Sequence, residues 1–202
     1  MSARAWLIVC GMGPVELGFG IGDVGATTLL SWGTAGALDS ALVPGRLALP
    51  QTVTTAQGDI FKVDVGWHAR VSQRLAEWAP TEHALIESEF VVTEPATKAA
   101  LFNETGAVVV DMESAAVARV AKTRGLPFLV IRAISDSAGR RLPSALMDAL
   151  DHYGQVRRGR LARAILREPR LIPDLVRLWR ESRAAHTALI RTANLLGPDF
   201  LA

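Results

Sequence analysis

The chain has 202 residues, 50% of them hydrophobic and 21% charged, with a formal net charge of +2. That is enough chain for one sizeable domain with its own core, and too little net charge to imply nucleic acid as a partner. The single cysteine, Cys10, excludes an internal disulfide and fits a reducing cytoplasm, and no apolar run approaches the ~18 residues of a membrane span.

In chain order, residues 6–10 read as a buried strand running into Gly11-Met12-Gly13-Pro14, a turn whose glycines could meet a ligand. The helix expected next should be short or broken, because Gly18, Gly20, Gly22 and Gly25 each cost up to about 1 kcal/mol in a helix interior. Residues 27–31 form a strand, and Gly33-Thr34-Ala35-Gly36 its glycine-lined exit turn. Pro44-Gly45 turns the chain into a strand over 46–53, with 59–65 pairing beside it. A helix is expected over 69–78, a strand over 85–93, and a second helix over 95–105. Pro95 opens that helix, where a missing N–H is harmless.

The stretch from 106 to 138 carries the most information. Residues 107–110 and 128–134 are short apolar runs of the kind that fill a sheet covered on both faces. Between them Ala115, Ala116, Val117, Val120 and Ala121 form a helical stripe, ended by Gly125 and Pro127. Strand, helix, strand reads as a parallel crossover unit, which would set Glu113 and Asp136 on one edge and in one crevice. Arg132, inside the second strand, suits a structural pairing with an acid, and Arg140 and Arg141 suit exposed loop positions. His68, His83, His152 and His186 lack ligand spacing, so no metal site is expected.

The chain from 143 onward is helical. Ten arginines between Arg157 and Arg191 face only Glu168, Asp174 and Glu181, while Leu171, Leu175, Leu178, Ala185, Leu189 and Leu196 share a helical face beside Trp179. Such a helix either packs on the domain or a second subunit, or lies in a membrane interface.

Three segments carry a resemblance. Val-Asp-Met-Glu-Ser-Ala-Ala at 110–116, Arg-Ala-Ile-Ser-Asp at 132–136, and Ser-Trp-Gly-Thr-Ala-Gly-Ala-Leu at 31–38 followed by Pro44-Gly45 resemble the signatures of the purine nucleoside phosphorylase and nucleosidase superfamily. The tail, with Leu-Arg-Glu-Pro-Arg-Leu-Ile-Pro-Asp-Leu at 166–175 and Leu-Leu-Gly-Pro at 195–198, is similar to the hopanoid-associated phosphorylases. The resemblance implies an α/β fold, a three-layer α/β/α sandwich around a mixed, largely parallel twisted sheet. It would form a single domain over 1–202, with 143–202 as a helical extension. Relatives begin with a further strand and hairpin, bearing a water-activating glutamate or a glycine-arginine phosphate loop. Nothing here matches it, so the chain is expected to be shortened at its N-terminus.

The activity implied is cleavage of a purine N-ribosidic bond with release of adenine. As that bond breaks, the sugar becomes cationic and the purine anionic. Asp136 matches the family's aspartate that protonates the base at N7, and Glu113 the glutamate that holds the ribose hydroxyls and faces the developing cation. Met112 would pack under the sugar, Thr34, Ala35 and Gly36 would line sugar, nucleophile and base, and Ser135 would sit beside Asp136. Gly11 and Gly13 would border the nucleophile, and Val92, Thr93 and Glu94 the base. In the hopanoid branch the substrate is adenosylhopane, lipid-linked, and the nucleophile phosphate. In methylthioadenosine- and futalosine-type nucleosidases it is water. Ser31 and Trp32 stand where many phosphorylases carry a phosphate-binding arginine. Nucleoside or partner binding without turnover is a third reading. No cofactor is implied beyond phosphate as co-substrate. A homo-oligomer is expected, in the cytoplasm, with peripheral contact at the inner membrane face through the C-terminal helix in the lipid-linked case.

Overall fold

The structure, a computed structural model, describes residues 26–151 and 156–202. The expected strand at 6–10, the turn with Gly11 and Gly13, the glycine-broken helix, the shortened N-terminus and His152 lie outside those residues.

Seven strands make one mixed sheet: β1 (Leu29–Ala37), β2 (Leu47–Ala48), β3 (Thr52–Thr55), β4 (Ile60–Lys62), β5 (Leu85–Glu87), β6 (Val109–Asp111) and β7 (Phe128–Asp136). Their order across the sheet is β2-β7-β1-β6-β5-β3-β4. Three of the pairs are parallel (β1 with β7, β3 with β5, β5 with β6) and three antiparallel (β1 with β6, β2 with β7, β3 with β4). The helices are α1 (Val65–Arg74), α2 (Pro95–Thr105), α3 (Ser114–Arg124), α4 (Ser144–Met147), α5 (Arg158–Arg167) and α6 (Ile172–Leu196). Every residue of β7 except Ser135 is buried, so helices cover the sheet on both faces. This is the expected α/β class with flanking helix layers.

Local chemistry sets the boundaries. The Asp64 carboxylate accepts the Trp67 N–H at 2.7 Å and caps α1, which therefore starts ahead of residue 69. Past Arg74 the chain tightens into a 3-10 turn at Ala76–Trp78 instead of continuing the helix. Pro95 opens α2 as expected, and Gly106 (φ 69°) and Gly125 (φ 64°) close α2 and α3 in the left-handed conformation. Pro44-Gly45 makes the turn that its composition announced: Arg46 N–H reaches the Val43 carbonyl at 3.0 Å, with Gly45 at φ 86°.

Four expectations fail here. Residues 33–36 are no exit turn. They continue β1, because its ladder with β7 holds from Leu29 opposite Phe128 to Gly36 opposite Asp136, with one irregularity at Ala35/Gly36. The strand over 46–53 is two strands, split where Leu49 and Gln51 turn their N–H groups to Thr81 and Glu82 around Pro50, which has none to offer. The strand over 85–93 stops at Glu87, beyond which Ser88 hydrogen-bonds the backbone of Phe90 and turns the chain.

The fourth concerns the crossover. β6 and β7 are not neighbours: β1 lies between them, parallel to β7 and antiparallel to β6. The strands joined by α3 therefore run in opposite senses, and their C-terminal ends do not share an edge. The periodicity of 107–134 could name the elements, but a third strand inserted from elsewhere in the chain decided their direction.

The C-terminal helix packs. Leu178, Ala185, Leu189 and Leu196 are buried, and α6 runs against β7, β1 and α1. The apolar stripe on which a membrane contact depended is thus used inside the molecule. Trp32 of β1 meets Phe200 edge-on at 5.0 Å between ring centroids, and Trp67 Nε1–H donates to the Phe200 carbonyl at 2.7 Å, which fastens the end of the chain. No helix among the described residues is long and apolar enough to cross a membrane.

Candidate active site

Two polar centres sit along β7. The first is built on Arg132. Its guanidinium donates from Nε to Asp111 Oδ2 at 2.7 Å and from Nη2 to Ser31 Oγ at 2.7 Å and Ser114 Oγ at 3.1 Å. Ser31 and Ser114 lie 3.1 Å apart, and Ser114 Oγ also donates to Asp111. All four side chains are buried, so each needs the others: a buried cation without partners would not be tolerated. Arg132 thus fills the structural role expected of it. It also has an exit to the site, because Nη2 stands 3.9 Å from Glu113 Oε2. Glu113 is half-buried at the start of α3, with Met112, also half-buried, just ahead of it.

The second centre lies at the C-terminal end of β7. Asp136 Oδ2 pairs with the ammonium of Lys98, and Oδ1 accepts from Ser135 Oγ at 2.8 Å. Ser135 Oγ is also 3.2 Å from the Ala35 carbonyl. Lys98, on α2, is the largest fully buried side chain among the described residues, at 1% exposure. Its other hydrogen bonds go to the carbonyls of Ser137 at 3.0 Å and Arg140 at 3.4 Å, so the three ammonium protons are matched by three oxygens.

Gly36 lies between the second centre and β6. A Cβ there would stand 3.3 Å from Asp136 Oδ2 and 3.3 Å from Val110 Cγ1, so β1 touches both the acid-bearing strand and β6 at this residue. Beside it Ala35 is buried and Thr34 half-buried. Glu113 stands at the start of α3 beside Arg132, and Asp136 at the end of β7 beside Lys98 and Gly36. Val92, Thr93 and Glu94 lie in the loop before α2, which is tied to the loop after β7. Leu142 N–H donates to the Thr93 carbonyl at 3.0 Å, and Arg141 pairs with Glu94 at 2.8 Å. Arg140 is not a free loop arginine: it forks onto Glu181 of α6 at 2.6 and 3.4 Å, a contact that raises its pKa further.

A family model described as the phosphorylase superfamily matches residues 2–167. The chain belongs to the phosphorylase superfamily. Over 58 residues it is 43% identical to the 5′-methylthioadenosine/S-adenosylhomocysteine nucleosidase of Treponema pallidum, a stretch covering 29% of this chain and 22% of that protein. The chain thus spans about a fifth of the curated relative it matches. Among solved structures it is similar to the Helicobacter pylori 5′-methylthioadenosine/S-adenosylhomocysteine nucleosidase with butyl-thio-DADMe-Immucillin-A. That match has a TM-score of 0.62 at 18% identity, over 92% of this chain and 76% of the other. The native futalosine hydrolase of Helicobacter pylori gives a TM-score of 0.58 at 23% identity, over 63% and 64%. At these identities the structural matches show the fold.

Within this member of the phosphorylase superfamily, two buried charged residues escaped the sequence reading. Lys98 had a legible signal: it shares a helix face with Leu101 and Phe102, where an apolar residue would be expected. Glu87 ends β5 opposite Asp111. Burial pushes its pKa up, although Oε2 accepts the Ala116 N–H at 2.9 Å and Arg119 lies 3.3 Å from Oε1. No signal marked it, since its burial depends on α3 docking over the end of β5. His68 Nε2 is 2.9 Å from the Leu49 carbonyl, and no group of three His, Cys, Asp or Glu among the described residues could hold a metal ion.

Proposed function

We propose that this protein cleaves the N-ribosidic bond of an adenine nucleoside, with water as the attacking group. The observation that carries the reading is the end of β7, where Asp136, fixed through both its oxygens, lies across Gly36 from the strand that leads into Met112 and Glu113. Asp136 meets the purine edge; the proton that N7 needs as the base leaves passes from its carboxyl group, which ends as a carboxylate paired with the Lys98 ammonium. Glu113 accepts from the ribose hydroxyls, and its negative charge faces the cation developing on the sugar. Arg132 behind Glu113 keeps that carboxylate from swinging away. The absence of a side chain at Gly36 lets the Asp136 carboxylate lie close against β1.

Water is favoured over phosphate for two reasons. Ser31, at the position where an arginine would bind phosphate, is buried and spent on Arg132 and Ser114. The relatives named above are nucleosidases and a hydrolase. The lipid-linked substrate loses its main support, because the apolar stripe of α6 is packed inside.

The test is incubation with methylthioadenosine, S-adenosylhomocysteine and adenosine, following free adenine with and without phosphate. Adenine released without phosphate supports hydrolysis. Release only with phosphate restores the phosphorylase reading, and tight nucleoside binding without adenine makes the protein a binder.

A further inference from the structure

We infer that Lys98 is a positioning residue for the leaving-group chemistry, holding Asp136 in place and cancelling its charge; this rests on the nucleoside-cleaving reading above. Once Asp136 has given up its proton, a carboxylate standing alone at the end of β7 would repel the electrons that gather on the departing purine. Paired with an ammonium it presents no net charge. The pair can then exchange hydrogen bonds with the purine edge without opposing bond cleavage.

The geometry fits a fixed support better than a surface salt bridge. Lys98 is 1% exposed and Asp136 is buried, so neither gains from bulk water. With Oδ2 on Lys98 and Oδ1 on Ser135, the carboxylate has one orientation. Lys98 also holds the backbone just beyond Asp136, through the carbonyls of Ser137 and Arg140. Its own helix, α2, begins directly after the 92–94 loop, which is tied in turn to Leu142 and Arg141. One ammonium therefore sets the carboxylate, the loop that follows it and the start of the loop opposite. A misplacement of the order of 1 Å in such a support costs a reaction about 10²-fold.

The experiment compares wild type with Lys98→Met and Lys98→Gln, and with Lys98→Cys in a Cys10→Ser background, alkylated by bromoethylamine in urea before refolding, which rebuilds an amine at nearly the same reach. On methylthioadenosine, kcat should fall about 10²-fold in Lys98→Met and Lys98→Gln, with KM changed little, and the alkylated cysteine variant should regain most of it. A loss confined to KM, or a failed rescue in a protein that melts like wild type, overturns the inference. A second readout does not need activity. Urea unfolding of Lys98→Met, Asp136→Asn and the double variant should be strongly non-additive, the double being less harmed than the sum. Additive losses overturn the pairing itself. If wild type cleaves no nucleoside while the cycle is non-additive, the cleavage reading fails and the Lys98–Asp136 support stands.

Discussion

The guanidinium of Arg132 lies against the backbone of Gly33, so close that a Cβ at residue 33 would overlap Nη1. The two residues are opposite one another in the β1–β7 ladder. A glycine that reads as part of a turn is thus the space that lets a buried arginine cross β1 to reach Ser31, Ser114 and Asp111.

From this relationship Gly33→Ala should be costly even though Ala suits a strand. Arg132 would have to leave at least one buried partner, and an unsatisfied buried group costs about 1–3 kcal/mol. Urea unfolding of Gly33→Ala in wild-type and Arg132→Met backgrounds measures it. The penalty should shrink when the guanidinium is gone; an equal penalty in both would place the cost in the backbone.

Glu113→Gln keeps size but removes the charge and turns one oxygen into a donor. Hydrogen bonds to charged groups are worth about 1.5–3 kcal/mol each, so kcat/KM on ribosides should fall roughly 10- to 150-fold. A 2′-deoxy substrate already lacks one of the bonds and should fall less. The same factor on both would remove Glu113 from the sugar.

Asp136→Asn has two expected effects. Turnover should drop by ~10²–10⁴, the range of a lost proton-transfer group, and much less for substrates whose leaving group needs no proton. Stability should drop as well, since an uncompensated buried ammonium costs about 3–5 kcal/mol. Steady-state kinetics on both substrate kinds, alongside a urea titration, separates the two.

Glu87 gives a pH dependence. Burial raises its pKa above that of the unfolded chain, so its contribution to stability is fully present below the ordinary glutamate range and is lost as pH rises through the folded value. Glu87→Gln, which can still accept the Ala116 N–H, should lose stability less steeply than wild type on going from about pH 4 upward. Midpoints of urea unfolding across that range provide the comparison, and parallel curves would show that Glu87 titrates alike in both states.

Removing the residues after Pro169 should unfold the domain. Leu178, Leu189 and Leu196 would leave the core, at about 1.5–3 kcal/mol each, and Arg140 would lose Glu181. That sum is comparable with the whole stability of a typical domain, ~5–15 kcal/mol. Circular dichroism of the truncated chain tests it: a native, cooperatively melting spectrum would show that α6 is dispensable.

The sequence by itself determined the class and the punctuation. Pro95 and Gly106, Gly125, and Pro44-Gly45 act as local signals because they restrict or free the backbone within one turn. The apolar run at 128–134 could only be a strand buried on both faces. Segment resemblance also singled out Glu113 and Asp136. What only the tertiary structure decided depends on contacts between distant residues. The direction of β6 relative to β7 was settled by β1 inserting between them. The burial of Glu87 came from α3 docking on β5, and the fate of the α6 stripe from its packing on β7. Lys98 is the clearest case: its position on a helix face was readable, but its partner lies on another strand. Charge pairing in a buried site is set by which side chains the fold brings within hydrogen-bond reach, and residue spacing along the chain does not carry that information.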